Sequence, residues 1–321
     1  MTDITVDVHL SPDHQAKALR ADVLDGLLAS PKTLPPKWFY DARGSELFER
    51  ITTLPEYYPT RVERAVLAER AAEIAELTQA RSLVELGSGS SEKTRLLLSA
   101  LTGLDQFVPV DVSASALRES AAAIAADYPG LDVHGVVGDF TEHLDLVPGT
   151  RPRLVAFLGG TIGNLVPSER AKFLSSVRSV LFEGEWLVLG TDLVKDPSVL
   201  VRAYDDSAGV TAEFDKNVLA VLNRELSADF DLDSFDHVAR WDADAEWIEM
   251  RLRARRAMRV RLGGLGLDVG FGEGEEMRTE VSAKFRRAGV TRELGEAGFE
   301  LVRWFTDSDG MFAVSLARAL G

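Results

Sequence analysis

Residues 83–95 read LVELGSGSSEKTR: an apolar run ending in Glu85-Leu86, two glycines one residue apart (Gly87 and Gly89), then a helix-forming tail. This arrangement lets backbone amides and a helix N-terminus approach a nucleotide-type cofactor. A pyrophosphate fingerprint needs a third glycine for close helix–strand packing. Glu92 occupies that place and, with Glu85, opposes a doubly charged pyrophosphate. The two acids favour a ligand carrying positive charge. S-adenosylmethionine has a sulfonium, an ammonium, one carboxylate and no phosphate. A lone GxG is a weak signal, so the next strands must agree. QFVPVDV ends near Asp111, placed to accept from ribose hydroxyls. GDF supplies Asp139 for an adenine amino group and Phe140 for the ring face. Each aspartate alone reads equally as a turn or helix cap. Acids at the carboxyl ends of three successive strands, where open sheets bind ligands, favour adenosylmethionine over a nicotinamide cofactor.

The loop GGTIGNL, 159–165, follows the fourth strand and is expected to reach the reacting atom. It lacks the D/N-P-P-Y of enzymes that methylate planar amide or base nitrogens. Asn164 offers both donor and acceptor, although Gly163-Asn164 also reads as a plain turn. Glu280 and Ser282 are two apart and share a strand face, which sets a carboxylate beside a hydroxyl that could meet a polar ligand. An exposed polar face beside GEGEE is the alternative. The five histidines are scattered without ligand spacing, and no metal site is expected. His237 reads as a packing or surface residue. Arg251, Arg253, Arg255, Arg259 and Arg261 form a stripe read as a solvated face, and the glycines of 263–274 as hairpin turns.

The elements that must position these residues follow a strand–helix rhythm. Strands are expected at 82–86, 106–112, 131–138, 153–160 and 185–193. Helices are expected at 12–29, 61–79, 91–102, after Ser113 as N-cap, and after Pro167. Residues 34–61 read as short helices and loops rich in aromatics. Residues 197–225 look helical; 246–262, LGLDVGF and 276–285 read as antiparallel strands. A helix at TRELGEAG precedes two closing strands joined by DSDG. The expected fold class is therefore α/β: a doubly wound, Rossmann-like class I methyltransferase sheet with a terminal antiparallel hairpin, plus a second α+β domain. The cofactor domain is expected at 61–196 and 284–321, and the substrate-binding domain at 1–60 and 197–283.

The 321-residue chain is 45% hydrophobic, 27% charged, without cysteine, and carries net charge −15. That composition fits a globular protein of a reducing cytoplasm and disfavours nucleic acid as a partner. The first residues lack signal-peptide features, no run is long enough for a membrane helix, and nothing demands a dimer, so a cytoplasmic monomer is expected.

LPPKWFYD, LPEYYPTR, VELGSGSSEKTR, GGTIGNL, GTDLVKD, VRAYDD, NVLAVLNREL and EEMRTEVSAKF resemble the histidine Nα-methyltransferases of ergothioneine biosynthesis, from about residue 15 onward. The resemblance implies trimethylation of the α-amino group of L-histidine to hercynine with S-adenosylmethionine. It implies that Tyr57, Glu280 and Ser282 contact the imidazole. Asn164 and Tyr204, with the backbone of Gly159 to Thr161, would hold the amino and carboxylate ends. Tyr40, Phe214 and Met250 would form pocket walls, with Tyr40 and Asn164 nearest the chemistry. Gly87, Lys93, Asp111, Asp139 and Phe140 would hold the cofactor. Gly160 stands where the family has Ser, Arg251 where it has Trp, and Ala283 where it has Cys; Gly160 is expected to loosen the loop. The rivals are an enzyme for another α-amine such as a tryptophan derivative, a protein methyltransferase, a non-catalytic adenosylmethionine sensor, and a nicotinamide-dependent oxidoreductase.

Overall fold

A computed structural model describes residues 4–10, 12–89, 92–140 and 143–321. The chain divides into two compact units, 1–11 with 61–194 and 285–321, and 12–60 with 195–284.

The first unit is an eight-stranded sheet covered by helices. Its parallel strands are β1 (Thr5–Val8), β2 (Ser82–Leu86), β3 (Gln106–Asp111), β4 (Asp132–Val137), β5 (Arg153–Phe157) and β6 (Trp186–Asp192). The order is β1-β4-β3-β2-β5-β6, continued by the two closing strands, of which the later-sequence strand (Phe312–Ala319) lies against β6 and the earlier (Phe299–Thr306) at the edge. The reversal of direction either side of β2 puts the β2 and β5 carboxyl ends at the topological switch, where open sheets bind ligands. β2 and β6 are buried along their whole length, which explains their unbroken apolar runs. The helix Pro59–Thr78 packs Val66, Leu67 and Ile74 into the same core as Leu83, Phe107, Leu154 and Val188. The helices Thr94–Ala100, Ala114–Asp127 and Pro167–Val180 follow β2, β3 and β5. Ser113 caps the second of these, accepting from the Ala116 amide. The expected helix start at Ser91 lies outside the described residues.

Residues 5–8 depart from the expectation that 1–60 belong to one domain. β1 pairs in parallel with β4, Thr5 opposite His134 and Val8 opposite Val137. The acids and His9 of this segment masked a short TVDV alternation, too brief to read as a strand.

The second unit has helices at Pro12–Leu28, Ala42–Thr52, Pro197–Tyr204 and Val210–Leu226. In chain order the α-helices among the described residues are α1 (Pro12–Leu28), α2 (Ala42–Thr52), α3 (Pro59–Thr78), α4 (Thr94–Ala100), α5 (Ala114–Asp127), α6 (Pro167–Val180), α7 (Pro197–Tyr204), α8 (Val210–Leu226) and α9 (Arg287–Glu296). The single helical stretch expected at 197–225 is broken after Tyr204. Asp206 accepts from the Val210 and Thr211 amides and Gly209 takes φ +72°, so the chain restarts as α8. A three-stranded antiparallel sheet runs β11 (Glu276–Ala283), β8 (Trp247–Ala254), β7 (Phe235–Asp242), and β9 (Met258–Leu262) pairs with β10 (Leu267–Phe271). β7 was not foreseen, because its charges and His237 hide its period. The strand expected across 246–262 is two strands of different sheets, β8 and β9. β12 (Phe299–Thr306) and β13 (Phe312–Ala319) close the first unit as the expected hairpin.

The arginine stripe is a ladder of ion pairs. Arg251 meets Glu249 at 2.5 Å and Glu276 at 3.1 Å, Arg253 meets Glu276, and Arg255 meets Asp236. Arg251 therefore has a satisfied place on β8.

Candidate active site

In the first unit the glycine loop after β2 closes back on β3. The Gly87 and Ser88 amides donate to the Val110 carbonyl, and Gly87 and Gly89 take φ of +71° and +47°. Those positive φ values are why glycine stands at both places. Asp111 accepts from the Gly89 amide at 3.1 Å and the Ser113 amide at 2.9 Å. Burial raises its pKa above the usual carboxylate value, against the lowering effect of the Ser113 and Gly89 amides. One carboxylate thus orients the loop and keeps acceptor capacity for vicinal hydroxyls. Phe140 stands edge-on to Phe157 at 5.1 Å and Phe173 at 5.6 Å, with its Cε1 facing Gly87, where an added Cβ would come within 3.9 Å. Asp139 is anchored by its amide to His143 Nδ1. A flat ring, a diol-accepting carboxylate and bare glycine backbone suit an adenosyl group, so the residues fit S-adenosylmethionine.

The two acids read as opposing a pyrophosphate have different fates. Glu92 is exposed. Glu85 is buried and accepts from the Thr94 hydroxyl, so its charge serves the β2–α4 junction.

Lys93 pairs with Glu63 at 2.5 Å, and Glu63 is fully buried. Glu63 Oε1 and Oε2 both accept from the Gly159 amide, at 2.8 and 2.9 Å. Gly190 makes room, since a Cβ there would lie 2.1 Å from Glu63 Oε1. Glu63 therefore moors the loop after β5. In the sequence it is one acid among several on the amphipathic helix expected at 61–79. Gly159 and Gly160 take φ of +81° and +69°, and a 3-10 turn, Thr161–Asn164, follows. Gly160 sits at the bend of this loop. It is the residue that a left-handed conformation accepts, where Ser would be strained.

The second unit gathers the expected aromatic and polar residues. Tyr40 packs edge-on against Phe48 and Phe214, Phe48 against Tyr57, and Tyr57 against Tyr204, with centroid distances of 5.4–6.3 Å. Tyr40 is the exposed end of this chain of rings. The Tyr204 hydroxyl lies 2.7 Å from Ser282 Oγ. Lys284 Nζ donates to both, at 2.9 and 2.8 Å, and lies over the Tyr204 ring. Lys284 was missed, because within EVSAKF a lysine reads as a strand-end surface residue; its period of two with Glu280 and Ser282 was the available signal. Glu280 is buried, opposite Met250 across β11–β8, and Ser282 is opposite Ile248. The register shifts between Arg278 and Glu280, so Thr279 is the extra residue of a bulge. Ala283 is buried, with the small volume that its expected Cys would also have.

His237 is buried on β7, not at the surface. Its Nδ1 lies 2.6 Å from Asp215 and its Nε2 2.7 Å from the Tyr204 carbonyl. Among the described residues no three His, Asp or Glu side chains stand in metal-binding geometry. No helix among them is long and apolar enough to cross a membrane.

The strand order, the glycine loop after the first motif strand and the closing antiparallel hairpin define a class I methyltransferase. The chain belongs to the histidine-specific, S-adenosylmethionine-dependent methyltransferase family, whose model matches residues 19–319. A histidine N-alpha-methyltransferase of Mycolicibacterium smegmatis is 59% identical, covering 96% of this chain and 97% of its own length. One from Mycobacterium tuberculosis is 56% identical over 98% and 99%. A 4-dimethylallyltryptophan N-methyltransferase of Claviceps purpurea is 29% identical over 61% and 62%. The solved CcbJ methyltransferase of Streptomyces caelestis aligns at 18% identity and a TM-score of 0.46, covering 79% of this chain and 90% of its own.

Proposed function

We propose that this protein methylates the α-amino group of L-histidine three times, giving hercynine, the first step of ergothioneine biosynthesis. The observation that carries the reading is the buried Glu280 and Ser282 pair on β11, in a chain matched along nearly its whole length by histidine-specific relatives. Glu280 accepts an imidazole N–H and Ser282 answers the other ring nitrogen. An apolar amino acid would offer neither of them a hydrogen bond, which disfavours it against histidine. Tyr57 borders the ring. Asn164 and Tyr204, with the backbone from Gly159 to Thr161, hold the amino and carboxylate ends. Phe214, Met250 and Tyr40 form the walls.

Gly87, Lys93, Asp111, Asp139 and Phe140 hold S-adenosylmethionine. When bound it supplies the methyl group, the S–CH3 bond breaking as N–CH3 forms and the sulfonium becoming a neutral thioether. The amine gives up a proton before each attack, and its lone pair must point along the S–CH3 axis. Most of the acceleration then comes from orientation. The third methylation leaves a permanent cation, which the π-faces of aromatic rings such as Tyr40, Tyr57 and Phe214 would stabilise. We place the protein in the cytoplasm as a monomer, in keeping with its cysteine-free, strongly acidic chain.

Incubation with S-adenosylmethionine and all twenty amino acids, read by mass spectrometry, should give trimethylated histidine alone. Glu280→Ala should weaken histidine use far more than S-adenosylhomocysteine binding. A trimethylated product from tryptophan in preference to histidine would overturn the assignment.

A further inference from the structure

We propose that His237 is a positioning residue, held as an imidazolium, that fixes Tyr204 and the strand carrying Glu280 for histidine binding. The argument is one of hydrogens. A carbonyl oxygen only accepts, so Nε2, 2.7 Å from the Tyr204 carbonyl, must carry a proton. Asp215 Oδ2 lies 2.6 Å from Nδ1, while Oδ1 accepts from the Thr279 hydroxyl at 2.5 Å. With Asp215 as the carboxylate, both of its oxygens accept, and that requires a second proton, on Nδ1. Neither neutral tautomer serves both partners. His237 and Asp215 side chains are 2% and 0% exposed, so no water competes for these bonds.

The surroundings agree from every side. α8 contributes Asp215, the residue after α7 is Asp205, β11 contributes Thr279, and the position opposite on β8 is the apolar Leu252. Burial pulls the His237 pKa down, but the Asp215 hydrogen bond and charge, the Tyr204 carbonyl and Asp205 outweigh it and raise it.

Three elements meet at this one ring. Tyr204 is the last residue of α7, and its carbonyl is one of the four that a helix leaves without an internal partner. A cation there also complements the helix dipole. Thr279 is the bulged residue next to Glu280, and Asp215 ties it to the same imidazolium while the Met250 carbonyl lies 3.1 Å from its hydroxyl. A neutral ring carries a single N–H and would give up one of its two bonds, to the end of α7 or to the carboxylate that holds the bulge.

This inference rests on the reading that Tyr204 and Glu280 face histidine, and its tests separate the two. Long-range nitrogen–proton NMR of the wild-type protein should show both His237 nitrogens protonated at neutral pH; a neutral ring would overturn the proposal whatever the activity. His237→Gln and His237→Phe should raise KM for histidine about tenfold or more, the scale of a lost charge-assisted hydrogen bond, with S-adenosylhomocysteine affinity held within about twofold. In the wild type that KM should climb with pH as His237 loses its proton, and the climb should vanish in His237→Gln. An unchanged histidine KM in the folded Gln variant, or an equal loss of cofactor affinity, would overturn the assigned role. A wild type that methylates tryptophan would instead overturn the substrate reading and leave the NMR result standing.

Discussion

Single side chains set the direction of hydrogen bonds in both halves of the chemistry. Lys284 has only hydrogens to give, so the Tyr204 and Ser282 oxygens both accept from it, and their own hydrogens are left for each other and for the ligand. Lys284→Met keeps the stem and removes the donors. It should raise KM for histidine roughly tenfold, with cofactor affinity unchanged, as read by steady-state kinetics and calorimetry. Asp111 gives a pH prediction. In the proposed cofactor contact its carboxylate form accepts the ribose hydroxyls, and burial has raised its pKa. S-adenosylhomocysteine affinity should therefore fall as pH drops through a value above the ordinary carboxylate range, and Asp111→Asn should bind weakly at every pH. At this scale the glycine loop after β2 and the acid ending β3 were legible in the sequence. Gly87 and Asp111 announced themselves by spacing, because strand ends and glycine loops have a fixed geometry. Glu63, Lys284 and His237 did not. Their meaning comes from partners 96, 80 and 22 or 33 positions away along the chain, and no local period reports such meetings.

Elements hold these groups through a few close approaches. α2 begins at Asp41, whose side chain accepts from the Gly44 amide, and the Asn217 amide on α8 donates to the same Asp41 and to the Phe39 carbonyl. A Cβ on Gly44 would lie 1.7 Å from the Phe39 oxygen, which is backbone and cannot swing aside. Gly44→Ala should destabilise the protein by about 1–3 kcal/mol in chemical denaturation and disturb Tyr40 next in the chain. Glu63→Ala should cost about 3 kcal/mol, since it strands both the Gly159 amide and the Lys93 ammonium, and it should slow turnover by freeing the Gly159 loop. Strands that read clearly were those buried on both faces, β2, β5 and β6, whose apolar runs follow from burial. β7 was illegible for the opposite reason: only its first residue is fully buried, and the rest alternate weakly. β1 was lost because four residues carry too little pattern.

The whole molecule is governed by its acids. Asp41, Glu185, Asp206, Glu275 and Glu276 all sit below the ordinary carboxylate values: burial opposes this in each, and arginine, lysine or amide partners outweigh it. A depressed folded-state pKa gives stability that is present above the unfolded value and lost as pH falls through the folded one. The unfolding free energy should thus decline as pH drops below about 4, even though the raised Asp111 works the other way. Near neutrality the −15 charge repels itself, so moderate salt should raise the unfolding temperature, as differential scanning calorimetry would show. The fold class was legible because strand–helix alternation and a closing DSDG hairpin are strong local signals. The division into units was harder to read, since segments distant along the chain, such as 5–8 beside 134–137, join by pairing alone.

The closing hairpin also orders events during synthesis. β13 lies between β6 and β12, so β6 lacks its outer neighbour until residues 312–319 leave the ribosome. Residues 195–284 emerge before then, and with 12–60 they complete the second unit first. The nascent chain must therefore carry a half-finished sheet, with an apolar β6 edge bare, while its later insert is already folding. Only the emergence and pairing of residues 312–319 closes that edge to misassembly.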